Sequence, residues 1–321
     1  MASSSLTAAP WNWAAAASNN ITTTGRLQGP VKGISMTKPR LAGALPVLAL
    51  LSVLCMEAGA QPPGWNDPFP PHKVMDNLYY VGTAQLASFL ITTPEGHILQ
   101  ASNYESSVTV IKAAVEQLGF DFDDIKILIS GHAHPDHIEG DALVKEMTGA
   151  EVVVGRLEVP YHEAFDTPGG KLQPIDRIVD DGDTVSLGGT TLTAHVQSGH
   201  TNGCLAWSLP LQENGRTYYG FIECSLNGQF LRYVGNTEYP EIAADIQRTY
   251  RAAKEIPAEV WVSSHGVFYG LDDKYAKLAN RGPNDPNPFY DPDGYVAHVN
   301  EFEQIFLNTL VRQVTEANQA E

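Results

Sequence analysis

The stretch that decides the fold is Gly131-His132-Ala133-His134-Pro135-Asp136-His137, which places three imidazoles and one carboxylate within six consecutive positions. A β-branched apolar run at 125–130 precedes it and predicts a buried strand, while 138–147 has the apolar spacing of a helix. The cluster therefore lies on a loop at a strand end, where rigid elements can aim several ligands at one point. Imidazole and carboxylate together suit Zn²⁺, and a catalytic zinc keeps one position open for water. The alternative is a set of surface histidines beside a helix N-cap.

Two more histidines follow β-like runs, His200 in the segment 197–203 and His265 in the segment 260–266. Each alone would more often be structural, but five histidines in matching strand-end positions favour a metal centre. The six side chains divide into two sets that suit the short metal separation of two-metal hydrolases. One zinc ion is assigned to His132, His134 and His200, and a second to Asp136, His137 and His265.

The His-x-His-x-Asp-His loop, the later Gly-His-Thr at 199–201 and the last Ser-His-Gly at 264–266 resemble the metallo-β-lactamase superfamily. The resemblance covers nearly all of residues 64–315. It implies an α/β fold, a four-layer αββα sandwich with the metals at the shared edge of the two sheets. The order of strand and helix patterns along the chain suits the same architecture. Further segments are similar to the subclass B3 enzymes: 64–69, 77–82, 181–185 and 188–195.

The resemblance implies a di-zinc β-lactamase, in which a metal-bound hydroxide opens the β-lactam amide of antibiotics and so confers resistance. Asp136 would hold the second zinc and orient the hydroxide. In the B3 enzymes the positions that resemble Ser225 and Asn227 help to hold the substrate carboxylate; the alternative is that they are ordinary polar residues at a strand end. The expected cofactor is two zinc ions per chain, and the expected partner is a small β-lactam. Mn²⁺ or Fe²⁺ could also occupy a site of histidines and aspartate.

Two alternatives stay open. Another hydrolase of the superfamily would act on a lactone or a thioester, and such enzymes usually add an aspartate that bridges both metals. Asp245 is the only aspartate between His200 and His265, and it lies in a predicted helix. Glu223 is the alternative bridging acid, but Ser225 better fits the resembling position, which favours the lactamase. The second alternative is a secreted protein in which zinc only stabilises the fold. Structural zinc sites are usually closed by four ligands, whereas each set here has three.

The chain is acidic, with a net charge of −17. Four of the 20 Lys and Arg but only one of the 37 Asp and Glu precede Gln61, so the remainder is more acidic still. Such a surface repels phosphate backbones, and no basic stripe offsets it. We therefore expect no nucleic-acid partner, which counts against the nuclease branch of the superfamily. Nothing in the sequence indicates the oligomeric state.

The first sixty residues are not expected to belong to the fold. Residues 1–35 are rich in Ala, Ser, Thr and Asn and predict a disordered extension or an upstream start. Residues 36–60 combine a basic start, an apolar stretch and a small-x-small site before Gln61, the pattern of a signal peptide. The hydrolase domain is then 61–321, located in the periplasm or secreted, and not membrane-bound in its mature form.

Cys204 and Cys224 lie in neighbouring predicted strands, and Cys55 would leave with the signal peptide. Export would allow a disulfide between them, and some B3 enzymes carry a bridge of this spacing, as the resemblance implies. Two buried thiols are the alternative.

Three local predictions concern the helices, one loop and one turn. Helices are expected at 108–118, 239–256 and 296–311. The segment 161–170 has too many turn formers for a regular element and predicts a loop, either a lid with Tyr161 or Phe165 over the substrate or ordinary solvent-exposed chain, with His162 exposed. Many superfamily members have an aspartate at the position of 100–104, and this chain does not. The difference concerns support of the loop 131–137, which is called the metal loop below.

Overall fold

Two β-sheets form the centre of the computed structural model, which describes residues 61–320. The first sheet has seven strands in sequence order, β1 to β7. Its first four strands are antiparallel neighbours, and from β4 to β7 neighbouring strands are parallel. The strands are β1 His72–Met75, β2 Leu78–Tyr80, β3 Phe89–Thr93, β4 Gly96–Gln100, β5 Ile125–Ile129, β6 Glu151–Gly155 and β7 Arg177–Val179.

The second sheet has five strands in the order β12-β11-β10-β9-β8. The pair of β11 and β12 is parallel and the other pairs are antiparallel. Its strands are β8 Thr184–Leu187, β9 Thr190–Val196, β10 Leu205–Glu213, β11 Arg216–Glu223 and β12 Val260–Ser263. Residues from Pro63 onward form one compact unit.

Helices cover the outer faces of both sheets. Val108 and Ile111 of the first helix and Val144 of the third pack on the first sheet, in one cluster with Leu99 and Val152. On the second sheet, Tyr295 of the last helix contacts Phe221 and Trp261 edge to face. The predicted αββα sandwich is therefore confirmed. The α-helices are α1 Val108–Gln117, α2 Pro135–Ile138, α3 Asp141–Thr148, α4 Val159–Glu163, α5 Ile242–Ala253, α6 Leu271–Ala279 and α7 Pro292–Ala320.

Strand β5 shows why the segment before the metal loop is apolar throughout. Ile127 and Ile129 point into the core between the sheets, whereas Leu128 points into the cluster beneath α1 and α3. Successive side chains of a strand alternate between faces, and here both faces are covered. A continuous apolar run is the expected result.

The direction of the strands brings four loops to one edge. Strands β9 and β11 are both antiparallel to β10, and β12 is parallel to β11, so these three strands end at the same edge of the second sheet. The loop after β5 joins them, because the Leu205 N–H donates to the Gly131 carbonyl at 2.8 Å. Leu86, in the loop before β3, forms an isolated bridge with His265. The predicted ligand loops are thereby placed together.

The predicted segments 1–35 and 36–60 lie outside the described residues, and the extension and signal peptide stay predictions. Within residues 61–320, no helix combines the length and the apolar character that a membrane crossing requires.

The prediction for 161–170 was wrong at its start. Helix α4 runs from Val159 to Glu163, and His162, expected to be exposed, is fully buried. The turn formers of this segment, Pro168, Gly169 and Gly170, lie after the helix, and Pro160 just before the segment is favourable in the first turn of a helix, where its missing N–H would have no partner. Tyr161 is exposed and Phe165 half-buried, and neither establishes a lid. The helix predicted at 239–256 is shorter, and α7 extends well beyond 311.

Buried Asp141 at the start of α3 makes stability depend on pH. Its Oδ1 accepts a 2.6 Å hydrogen bond from Ser102 Oγ, and burial raises the pKa of its carboxyl to about 7, against the partly offsetting effect of that bond. The pKa of Asp141 is higher in the folded state than in the unfolded state. Its contribution to the free energy of unfolding is therefore fully present below about pH 4 and is lost as the pH rises through about 7.

We therefore expect Asp141→Asn, which keeps an acceptor for Ser102, to gain stability relative to the wild type as the pH is raised from 4 to 8. Urea unfolding at a series of pH values, with a chelator in both samples, measures the difference. A constant difference between the two proteins across this range would contradict the raised pKa.

Candidate metal centre

The metal loop turns into a helix halfway along, and this separates its four ligands into two pairs. His132 and His134 lie on the extended loop after β5, with His134 at the N-cap of α2. Pro135 is the first residue of α2, so Asp136 and His137 lie within its single turn. Extended backbone and helical turn point their side chains in different directions, and each pair joins a different distant histidine.

The first group consists of His132, His134 and His200. One nitrogen from each ring lies within 4.8 Å of the others. His132 Nε2 and His134 Nδ1 are 3.0 Å apart. Two nitrogens bound to one tetrahedral zinc ion at about 2.1 Å would be roughly 3.4 Å apart, so the spacing fits a shared ion.

The second group consists of Asp136, His137 and His265, whose ligand atoms also lie within 4.8 Å of one another. Asp136 Oδ2 is 3.4 Å from His137 Nε2 and 3.5 Å from His265 Nε2. His137 Nε2 is buried and has no partner with hydrogen-bond geometry. A buried polar nitrogen without a partner is costly, and a cation bound by this group would satisfy it.

Burial keeps the rings in the form that binds metal. It lowers the pKa of His134, His137 and His265 to about 3, with repulsion from neighbouring histidines adding to the effect. It also lowers the pKa of His132 and His200. Five neutral imidazoles and one carboxylate at neutral pH are a donor set suited to two divalent cations.

Contacts with the surrounding chain orient three of the histidine rings. His200 Nδ1 donates to the Asn227 carbonyl at 2.7 Å, and because that oxygen can only accept, Nε2 carries the lone pair. His132 Nδ1 lies 3.3 Å from Cys224 Sγ. His265 hydrogen-bonds the backbone of Gln85. The surrounding chain therefore orients all three rings and sets the tautomer of His200.

The partner of His132 belongs to a disulfide, Cys204–Cys224, which connects the start of β10 with the residue after β11. The alternative of two buried thiols is thus not what the structure contains. Both half-cystines are buried directly beneath the metal loop, where a Cβ added to Gly131 would lie 3.6 Å from Cys224 Sγ.

The turn at 100–104, which contains no aspartate, supports the loop 131–137 from the other side. The N–H groups of Ser102 and Asn103 both donate to the His137 carbonyl at 3.2 Å, and the Asn103 carbonyl accepts from the Gly140 N–H. Ala101 and Asn103 adopt positive φ angles of 63° and 59° to present these groups. Backbone donors thus hold α2 in place.

The predicted substrate-binding residues lie beside the first group. Ser225 is buried, and its Oγ accepts from the Asn227 N–H at 3.3 Å. The Asn227 side chain accepts from the Gln229 N–H, while its carbonyl orients His200. Asp245 lies apart from both groups, in α5, where it accepts from the Tyr239 hydroxyl at 2.6 Å and pairs with Arg248.

Sequence reasoning missed two residues that touch the centre. Trp65 packs edge to face against His265, with ring centroids 5.3 Å apart. Its segment, 64–69, had been noted only for its similarity to B3 enzymes. Glu158 contacts two of the ligand loops, and the signal that could have found it is its spacing of four residues from His162 in one helical turn. His195, by contrast, bonds Ser208 Oγ and none of the six ligands.

Comparison with solved structures identifies the family. The native FEZ-1 metallo-beta-lactamase from Legionella gormanii is 36% identical, with 78% of this chain and 98% of that chain covered and a TM-score of 0.73. The chain belongs to the metallo-beta-lactamase superfamily. The superfamily's sequence profile matches residues 87–213. BJP-1, a subclass B3 metallo-beta-lactamase of Bradyrhizobium japonicum, is 34% identical, with 79% and 98% covered and a TM-score of 0.74.

Another branch of the superfamily also matches. A hydroxyacylglutathione hydrolase of Hyphomonas neptunium is 44% identical over 82 residues, 26% of this chain and 28% of that protein. The match thus spans less than a third of that relative's length. Within the superfamily, the metal-binding hydrolase class is common to both comparisons, whereas the substrate differs between them.

The disulfide should contribute measurably to stability. It closes a loop over a sequence separation of 20, and bridges of such length stabilise by about 3 kcal/mol. We expect Cys204→Ala/Cys224→Ala to lower the Tm by about 6–12 °C for a domain of this size. Scanning calorimetry with and without a dithiol reductant checks this. A wild-type Tm equal to that of the double variant under oxidising conditions would contradict it.

Proposed function

We propose that this chain is a zinc-dependent β-lactamase that hydrolyses the β-lactam amide bond, with two zinc ions held by the two groups of three ligands. The observation that carries the proposal is the combination of these groups with Ser225, rather than an acid that could bridge two metals, just beyond β11. Similarity to β-lactamases over nearly their whole chains supports it.

The donor set favours catalysis over a purely structural metal. Each group offers three protein ligands, which leaves a position open on a tetrahedral ion, and structural zinc sites are usually closed by four. The non-catalytic alternative would also leave unexplained why the ligands lie on loops at a sheet edge, where binding and catalytic residues concentrate.

The residues around the zinc ions divide the work of the reaction. When bound, zinc supplies Lewis acidity, which polarises a carbonyl and makes water a nucleophile near neutral pH. Asp136, the one carboxylate among the six ligands, accepts a hydrogen bond from the attacking water and so orients it. His132 and His200, contacted at Nδ1, and His265, bonded to the Gln85 backbone, would hold the zinc ions with rings that the surrounding chain orients.

Ser225 and Asn227 are assigned to the carboxylate that β-lactams carry. The Ser225 hydroxyl can donate to an anion, and the Asn227 amide offers N–H donors from the next turn of chain. The strongly acidic surface does not attract anionic substrates, so recognition of the carboxylate depends on such local donors.

Thioester hydrolysis is the second candidate, favoured by the identity to hydroxyacylglutathione hydrolases over 82 residues. A bridging aspartate would be expected between His200 and His265. Asp245, the only aspartate of that stretch, is instead committed to Tyr239 and Arg248. This observation ranks the thioester below the lactam.

Export to the periplasm or the medium is part of the proposal. The Cys204–Cys224 disulfide supports it, because disulfides persist in oxidising compartments. The signal-like pattern of 36–60 is the second support.

We expect residues 61–321 to hydrolyse a carbapenem and a cephalosporin, to lose this activity with a zinc chelator and to regain it with added zinc. His200→Ala should lower kcat/KM by at least about a hundredfold, since it removes a ligand of one ion. His195→Ala, another strand-end histidine that touches none of the ligands, is the matched control and should retain activity. Absorbance of the lactam ring reports turnover. A folded, zinc-loaded protein that cleaves S-lactoylglutathione but neither lactam would overturn the proposal in favour of the second candidate.

Ser225→Ala should raise KM roughly tenfold for a lactam that carries its carboxylate, because a hydrogen bond to a charged group is lost, and should change kcat little. Ser208→Ala, which loses a hydroxyl bonded to His195, is the control. Steady-state kinetics with a free carboxylate and with its methyl ester separate the effects. An equal rise in KM for both substrates would show that Ser225 does not contact the carboxylate.

A further inference from the structure

Glu158 is a fully buried carboxylate outside both ligand groups. Its oxygens accept three hydrogen bonds: Oε2 from the Ala133 N–H at 2.8 Å, and Oε1 from Thr201 Oγ1 at 2.6 Å and from the Gly203 N–H at 2.8 Å. Among residues 61–320, no lysine or arginine pairs with it. Burying a carboxylate is costly unless it is hydrogen-bonded, and these three donors provide the compensating hydrogen bonds.

The three donors belong to the two loops that carry the first group. Ala133 lies between His132 and His134, and Thr201 directly follows His200. One carboxylate therefore bridges the chain segments of all three histidines. Oε2 accepts from the loop of His132 and His134, and Oε1 accepts from the loop of His200.

Hydrogen bonds and close packing fix the backbone position of Glu158. Glu158 is the N-cap residue of α4, with its N–H bonded to the Gly155 carbonyl and its own carbonyl bonded to the His162 N–H at 3.0 Å. One turn later, buried His162 Nε2 lies 3.3 Å from Ser130 Oγ, beside the start of the metal loop. A Cβ added to Gly203 would lie 2.5 Å from Leu157 Cβ and 3.1 Å from the Glu158 nitrogen. Only glycine allows this close approach.

We propose that Glu158 is a positioning residue, which sets the spacing of the two loops and thereby the zinc affinity of His132, His134 and His200. This inference rests on the zinc centre of the proposed function. It assigns a role to α4, which borders the ligand loops without contributing a ligand.

The proposal predicts an effect on one zinc ion of the two. The second group, Asp136, His137 and His265, is supported by the turn at Ser102 and Asn103 and by the backbone of Gln85, none of which contacts Glu158. Loss of a residue that supports metal ligands typically weakens metal binding by about 10–100-fold. We expect that loss at the first group alone.

Glu158→Gln tests this, because it keeps the size of the side chain but replaces one acceptor oxygen by an NH₂ group, which cannot accept from a backbone N–H. Zinc affinities are measured by competition with a chromogenic chelator on residues 61–321, without any substrate. One of two sites should weaken by about 10–100-fold, and the other should be unchanged. Co²⁺ substitution should show the change in the spectrum of the site with three histidines.

Glu213→Gln is the matched control. Glu213 also accepts three hydrogen bonds, all from side chains, two from Arg281 and one from Asn287, at the far end of β10. Both zinc affinities should remain at their wild-type values in this variant, even if its Tm falls.

Thr201→Val removes only one of the three bonds and should weaken the same site by a smaller factor. If circular dichroism shows that Glu158→Gln does not fold, the zinc affinities of Thr201→Val test the proposal instead. Unchanged affinities, or equal weakening of both sites, would overturn the proposal. A wild-type chain that binds two zinc ions but hydrolyses no β-lactam would overturn the proposed function alone, and one that binds no zinc would overturn both.

Discussion

The convergence of five imidazole rings on one buried edge is the constraint on which the rest of the structure depends. The ring centroids of His132 lie 4.4 Å from those of His137, 4.6 Å from those of His134 and 4.7 Å from those of His200. Burial keeps these rings neutral, so each ring has one nitrogen that can bind a cation. Such an arrangement is costly without a cation to share. The strand ends of the sandwich hold the rings together, and a bound metal ion would offset the free-energy cost of burying their nitrogens.

Three of the candidate ligands have different kinds of support. A backbone carbonyl holds His200, a disulfide sulfur lies against His132, and two backbone N–H groups hold the carbonyl of His137. Glu158 connects the loops of the first group, whereas the second group depends on the turn after β4. The two groups of candidate ligands therefore have separate supports within one fold, and substitutions can affect them separately.

The fold and the grouping of the candidate ligands at one edge could be predicted from the sequence because their signals are local. Four candidate ligands lie within the six residues 132–137, and His200 and His265 each follow a β-like run whose end faces the same edge. Alternation of faces in β5 explains why a continuous apolar run marked a buried strand. The signals for the supports are not local. Whether His162 is exposed or buried depends on packing against Ser130, which is 32 residues away, and Glu158 reaches Thr201 across 43 residues. Pro160 favours a turn in most contexts, and only its position in the first turn of α4 makes it compatible with a helix. No periodicity reports such contacts.

The central claim is that six side chains hold two zinc ions in two separate groups. A crystal structure of residues 61–321 grown with zinc, with anomalous data collected on both sides of the zinc absorption edge, tests it most directly. The account predicts two anomalous peaks, one bound by His132, His134 and His200 and one bound by Asp136, His137 and His265. A single peak bound by residues of both groups, or no peak at this edge of the sheets, would contradict it.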